Sequence, residues 1–303
     1  MKNKYIIFLS IFLIVQLFLA CQSNTTSKQA NNDWNVGSID IEADSNLKDV
    51  LQPLVVIYQN YFPKAHINFI YTPEDITIQR FKTKKNRAIA ISRLLDDNEL
   101  NNASIAQDVE LEKITFAYDA IAVITNKENV DSVFTIEQTK SRLNNKQTQL
   151  VFDNAKSGIA RTLMQISQSS KDDFKQAYVL QNADEVIEYV RRNKNAIGFI
   201  PFNLLSNKFE QKAQFIRANF KILPVSYKNK VTAISQQTIA NEQYPLDRPI
   251  SIYIGSCPEL VIQGFTSFLL KRQISKAILL SGLVPKNMPV RDIVVSEEFN
   301  PEK

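Results

Sequence analysis

The residues that usually carry phosphate, metal and nucleophile chemistry are scarce in this chain of 303 residues. There are six glycines (Gly37, Gly158, Gly198, Gly255, Gly264 and Gly282), and the closest two stand nine positions apart. A Gly-rich phosphate loop or a dinucleotide fingerprint needs glycines within about five positions, so neither is present. One histidine, His66, and two cysteines, Cys21 and Cys257, exclude a His/Cys zinc cluster. His66 alternates within an apolar stretch and reads as structural. Cys257 lies between Ser256 and Pro258 with no recognisable base nearby. Glu74-Asp75 and Asp96-Asp97-Glu99 have the chemistry for a carboxylate metal site, although helix starts and solvated surfaces use such clusters more often. Neither a catalytic centre nor a metal or cofactor is expected. What remains is anion binding by bare backbone. Two strand-to-helix joints carry serine at the probable N-cap, Ser45 and Ser157, and a helix N-terminus offers unpaired N–H groups and about half a positive charge. The same serines would also serve purely as caps.

The elements that must position those serines follow from periodicity. Ile39 and Ile41 alternate with polar neighbours as a strand. After Asp44-Ser45-Asn46, apolar residues recur from Leu47 through Val50, Leu51, Leu54, Val55 and Tyr58 to Phe62 at helical spacing, with Ser45 or Asp44 as cap. His66–Tyr71 alternates as a second strand, and Thr72-Pro73-Glu74 opens a helix with Pro at its first position. Arg87–Ser92 is a third strand. The middle repeats this order, with strands at Ile121–Thr125, Leu150–Phe152 and Ala196–Ile200, and with helices from about Ser157 and from Asp184. Pro249–Ile254 gives a late strand and Leu260–Leu280 a late helical region. Alternating strands and helices predict a mainly parallel sheet covered on both faces, whose ligands sit beyond the carboxyl ends of its strands.

The N-terminus carries an address. Met1-Lys2-Asn3-Lys4 precedes an apolar run, Tyr5–Ala20, too short to span a bilayer and suited to an export signal. The run ends Leu17-Phe18-Leu19-Ala20-Cys21, which resembles a bacterial lipobox, where cleavage precedes a cysteine that is then diacylated. Residues 1–20 are therefore expected to be a lipoprotein signal peptide, and 21–35 a polar, flexible tether. Removal of Lys2 and Lys4 lowers the formal charge from +5 to +3. That charge is too mild and dispersed for nucleic-acid binding. The basic run Arg191-Arg192-Asn193-Lys194 reads as a solvated helix end, with partner docking as its alternative use. With 44% apolar and 22% charged residues the remainder is an ordinary globular chain.

Several segments, in order, are similar to the phosphate ABC-transporter class of type II periplasmic binding proteins, in the divergent form found in Bacteroidetes-type lipoproteins. They are Tyr118-Asp119-Ala120-Ile121-Ala122-Val123-Ile124-Thr125-Asn126, Ser157-Gly158, Asn195-Ala196-Ile197-Gly198-Phe199, Tyr244-Pro245-Leu246-Asp247-Arg248-Pro249-Ile250-Ser251-Ile252-Tyr253, and Phe265–Leu270 with Ser281-Gly282-Leu283-Val284-Pro285. The resemblance implies an α/β clamshell of two lobes with mainly parallel sheets and two interdomain crossovers. Lobe I would comprise residues 36–119 plus 246–303, and lobe II residues 120–245. It implies a monomeric, membrane-anchored envelope lipoprotein that captures phosphate or a related oxyanion between the lobes and passes it to an ABC permease. A non-transport sensor or surface-interaction protein reusing the fold is the alternative.

Carried onto this chain, the resemblance gives a ligand site of Ser45, Asn46, Ser92, Arg93, Asn154, Ser157, Gly158 and Arg161, with Cys21 lipidated. Four departures are visible. The first turn is Asp44-Ser45-Asn46 where relatives are rich in Gly and Ser/Thr. Asp153 stands where relatives often have Arg, and Ile159 where Thr is frequent. Ser92-Arg93 replaces an Asp that accepts a hydrogen bond from protonated phosphate, so sulfate, another oxyanion or a carboxylated metabolite stays open. The alternative for each arginine is a solvated ion pair, Arg161 with Asp153 or Asp119 and Arg93 with Asp96 or Asp97.

Overall fold

The computed structural model describes residues 33–145, 147–154 and 157–288. The apolar leader, Cys21 and nearly all of the polar stretch after it lie outside the described residues. From Trp34 onward the described chain builds on one ten-stranded sheet bent over two cores.

The first lobe begins with β1 (Gly37–Asp44), which pairs in parallel with β2 (Ala65–Thr72) on one side and β3 (Ala88–Ile91) on the other. The predicted alternation is visible in β2, where Ala65, Ile67 and Phe69 are buried and His66 faces solvent. A 3₁₀ turn, Ser45–Leu47, leads into α1 (Lys48–Tyr61), whose Val50, Leu51, Leu54, Val55 and Tyr58 form the buried stripe. Between β2 and β3 lies α2 (Glu74–Phe81). Pro73 stands one position outside it as the capping residue, with ψ of 141°, rather than inside the first turn. After β3 comes α3 (Asp97–Gln107), started by a reciprocal capping box between Asp96 and Glu99.

The chain then crosses to the second lobe on β4 (Glu112–Asn126). Its first half pairs antiparallel with β12 (Asp247–Ile254), which in turn pairs with β3. Its second half, Ile121–Asn126, pairs antiparallel with β8 (Ala196–Pro201) and β9 (Phe220–Leu223). Fifteen residues of one strand thus belong to both cores. Within each lobe the βαβ units are parallel, as alternation predicts. β6 (Gln149–Phe152) pairs in parallel with β8 and with the short β7 (Tyr178–Val179). A small second sheet joins β5 (Phe134–Thr135), β10 (Val225–Tyr227) and β11 (Lys230–Thr232).

Short helices α4 (Thr139–Leu143), α7 (Asn203–Ser206), α8 (Gln211–Asn219) and α9 (Gln236–Ala240) fill out this lobe. Its larger helices are α5 (Gly158–Ile166) and α6 (Ala183–Arg192), which bury Ile159, Ala160 and Leu163, and Val186, Ile187 and Val190. The chain returns past Leu246, whose carbonyl accepts the Ile121 N–H at 2.9 Å, while the Tyr244 hydroxyl donates to the Ile121 carbonyl at 2.8 Å. The late helical region divides into α10 (Val261–Leu269) and α11 (Arg272–Leu280), which cover the first lobe, and β13 (Val284–Pro285) closes against β4.

Candidate functional site

The carboxyl ends of β1, β3 and β6 deliver their following turns to the same cleft between the lobes. From the first lobe come Asp44, Asn46, Ser92 and Arg93, with Glu74 at the start of α2. From the second come Asp153, Ser157, Gly158 and Arg161. Ser157 caps α5 as its sequence position predicts, accepting the Ala160 N–H at 3.2 Å, and is buried. In the first turn the cap is Asp44 rather than Ser45. The Asp44 carboxylate accepts the Asn46 N–H at 3.1 Å, and Ser45 is exposed.

The lobes touch directly here. Asn46 Nδ2 donates to Asp153 Oδ2 at 2.7 Å across the cleft. Glu74, buried at 2% exposure, presses against α5: a Cβ on Gly158 would lie 2.4 Å from its Oε2. Only glycine lets the helix end come that close. Asn154 is half-buried just before the turn, and its carbonyl accepts the Ser157 N–H at 3.2 Å.

Both predicted arginines are held by carboxylates, with partners other than those the sequence pointed to. Arg93 Nε donates to Glu74 Oε1 at 2.7 Å, and its two terminal nitrogens grip Glu99 at 2.7 and 2.9 Å. Arg161 Nη2 reaches from the second lobe to Asp96 Oδ2 at 2.5 Å and to Glu99 Oε1 at 3.3 Å. The Asp96–Glu99 capping box therefore does two jobs: it starts α3 and latches the opposite lobe. Burial pushes the Glu99 carboxyl up, but the hydrogen bonds and charge of Arg93 outweigh it and leave the group below the usual carboxylate range.

Sequence reasoning missed the acidic side of the site. Asp44 is 2% exposed and its pKa is pushed up to about 7, by burial first and then by the charge of Glu74. Burial likewise raises Glu74, against the opposing pull of Arg93. The Ser92 hydroxyl donates to Asp44 Oδ2 at 3.3 Å and accepts from Arg248 Nη1 at 3.1 Å. Arg248 Nη2 donates in turn to Asp119 Oδ2 at 2.8 Å, a pair buried where both crossing segments meet. Among the described residues, Glu74 Oε2, Asp153 Oδ1, Arg161 Nε and Arg248 Nε have no hydrogen-bond partner. Arg248 sat inside the Tyr244–Tyr253 segment that carried the resemblance, so a signal for it existed. Glu74 was visible only as half of the Glu74-Asp75 carboxylate pair, and Pro-Glu before an amphipathic stretch looks like any helix start.

The remaining candidates resolve simply. Among the described residues no group of three or more His, Cys, Asp and Glu side chains is arranged to hold a metal ion. Glu74 and Glu99 are engaged with Arg93 instead. The Cys257 thiol donates to Glu259 at 3.2 Å, and burial raises its pKa to about 12, so little thiolate forms at neutral pH. Arg191 and Arg192 are exposed and pair with Glu188 on their own helix. No described helix is long and apolar enough to cross a membrane.

A sheet shared by two lobes, with strand ends and a helix N-terminus facing across a cleft, is the architecture of a periplasmic binding protein. Residues 24–273 match the model of the PBP superfamily domain, and the chain belongs to that superfamily. Among solved structures, an ABC-type phosphate transport receptor from Vibrio cholerae is 20% identical, with 82% of this chain and 100% of that one aligned at a TM-score of 0.63. A Clostridium perfringens protein assigned as a phosphate ABC-transporter substrate-binding protein, crystallised with phosphate, is 17% identical over 83% and 100% of the two chains, at a TM-score of 0.67. The fold is not confined to transport receptors: OxyR from Pseudomonas aeruginosa aligns at 10% identity over 84% and 76%, with a TM-score of 0.55. No curated protein matches the chain in sequence.

Proposed function

We propose that this chain is a lipid-anchored solute-binding protein that captures phosphate or a similar oxyanion between its lobes and delivers it to an ABC permease. The observation that carries the reading is the meeting of Gly158, at the N-terminus of α5, with the unpartnered Oε2 of Glu74. A helix end favours an anion. A buried carboxylate oxygen beside it favours a ligand that also brings a proton. Singly or doubly protonated phosphate offers both, and a fully ionised sulfate offers acceptors only. The cost of the mismatch is large, since two unit charges 4 Å apart at an effective dielectric of about 20 interact by about 4 kcal/mol. Glu74, together with Asp44, can thus supply the acceptor whose usual position after β3 is taken by Ser92-Arg93.

In this reading the hinge lies where β4 and the segment before β12 cross, with lobe I as residues 36–119 plus 246–303 and lobe II as 120–245. Closure brings Arg161 onto Asp96 and Glu99, and Asn46 onto Asp153, presenting a changed surface to the permease. The anchor would be Cys21, with residues 21–35 as tether, holding the domain at the periplasmic face of a membrane. Calorimetric titration of the phosphate-depleted full chain in detergent tests the binding. The expected result is micromolar or tighter phosphate binding, about 8 kcal/mol or more, with sulfate at least about tenfold weaker. Absence of binding to either anion would overturn the proposal.

A further inference from the structure

Glu74, the carboxylate set against Gly158, also borders an open space between the lobes. A cavity of about 490 Å³ is walled from the first lobe by Glu74, Ile78 and Lys82, and from the second by Arg161, Met164 and Phe174. Glu74 and Ile78 are one turn apart on α2, as are Arg161 and Met164 on α5, so each helix turns one face to the cavity. The volume falls within the range of about 300–1,000 Å³ typical of small organic ligands. At about 30 Å³ per water, a bare tetrahedral oxyanion displaces only a few water molecules and leaves most of that space unfilled.

The wall is divided by chemistry. Ile78, Met164 and Phe174 form an apolar surface contributed by both lobes, with Ile78 and Phe174 3% and 7% exposed. At its edge, Lys82 and Lys171 make no ion pair among the described residues, and Arg161 Nε has no acceptor. Glu74, 2% exposed, borders the same cavity with its unpartnered Oε2. Cations, the unpartnered acceptor of Glu74 and an apolar surface therefore converge on a volume larger than inorganic phosphate fills, with Asp75 and the arginine-bound Glu99 also on its wall.

We infer that the ligand of this cleft is a phosphomonoester with a small apolar or aromatic body, rather than inorganic phosphate alone. The inference rests on the oxyanion reading above and adds the organic part. The phosphoryl oxygens meet Arg161 and the lysines, the P–OH of the singly protonated ester donates to Glu74 Oε2, and the body packs on Ile78, Met164 and Phe174. Burial of the body is favourable in proportion to the apolar area taken from water.

The test titrates the full chain at pH 5, where a phosphomonoester, with a second pKa of about 6, keeps one proton, with phenyl phosphate and, separately, inorganic phosphate. Phenyl phosphate is expected to bind at least about tenfold more tightly. The half-buried Met164 is the residue to change, because Phe174 lies in the core and its loss risks the fold. Met164→Ala should cut the phenyl phosphate advantage by about threefold or more while phosphate affinity stays constant. Phosphate binding as tightly as phenyl phosphate would overturn the organic ligand class and leave the oxyanion reading standing. Failure of both ligands to bind would overturn the two together. An undiminished advantage in Met164→Ala would show that the body does not lie in this cavity, and Lys171→Ala should weaken both ligands alike, an unchanged affinity for both overturning the phosphoryl placement.

Discussion

Glu74 Oε2 lies 2.4 Å from the point where a β-carbon on Gly158 would have to sit, although the two residues belong to different lobes. A carboxylate of one lobe is thus set against the bare end of a helix in the other. Gly158→Ala should add helix propensity, by up to about 1 kcal/mol, and yet hold the lobes apart. The expected outcome is an unchanged or higher melting temperature with phosphate affinity lowered by about tenfold or more, read by thermal unfolding beside calorimetry. Wild-type affinity in Gly158→Ala would show that this contact is not part of the closed, ligand-holding cleft.

Arg248 and Asp119 are a buried pair, 1% and 2% exposed, placed where both crossing segments run. Arg248→Met removes the cation and leaves the Asp119 carboxylate with backbone N–H donors such as that of Asn203, at 3.2 Å. Breaking one side of a buried pair typically costs about 3–5 kcal/mol. Urea unfolding should show that loss, and the double variant with Asp119→Asn should recover much of it. A single variant as stable as wild type would mean that the pair contributes nothing net to the fold.

Asp44 gives the stability a pH dependence of definite sign. Its pKa is about 7 in the folded chain, raised by burial and by the Glu74 charge, against about 3.9 for an unperturbed aspartate. Between these values the folded chain holds a proton that the unfolded chain has released. Stability from this group is therefore full below about pH 4, falls as pH rises towards 7, and is level above. Asp44→Asn should flatten that slope and raise stability at pH 8, by up to about 4 kcal/mol. Equilibrium unfolding at pH 5 and pH 8 measures it, and parallel curves for variant and wild type would exclude Asp44 as the source.

Much of the fold was legible because it is written in local periods. The 2-residue alternation of β2 and the apolar stripe of α1 each depend on neighbours a few positions away, and both stand in the structure where the sequence places them. The capping role of Ser157 was legible for the same reason, since a cap needs only the three residues that follow. The partners of Arg93 and Arg161 were not. Asp96 and Asp97 are near Arg93 in sequence, yet Arg93 turns to Glu74, 19 positions back, and to Glu99. Arg161 finds Asp96, 65 positions away, because the packing of the two lobes and not chain proximity sets its surroundings.

Residue type and short spacing alone account for the order of strands and helices, the cap at Ser157 and the lack of any glycine phosphate loop. Only the tertiary structure decided that the cleft is as acidic as it is basic. Asp44, Glu74, Asp119 and Asp153 come from four separate segments; in sequence Asp44, Glu74 and Asp153 look like routine turn or helix-start residues and Asp119 is an acid within a mostly apolar strand. Burial makes them consequential. Once out of water, a carboxylate must find a cation, a hydrogen-bond donor or a proton, and that requirement arises from residues brought together across the fold.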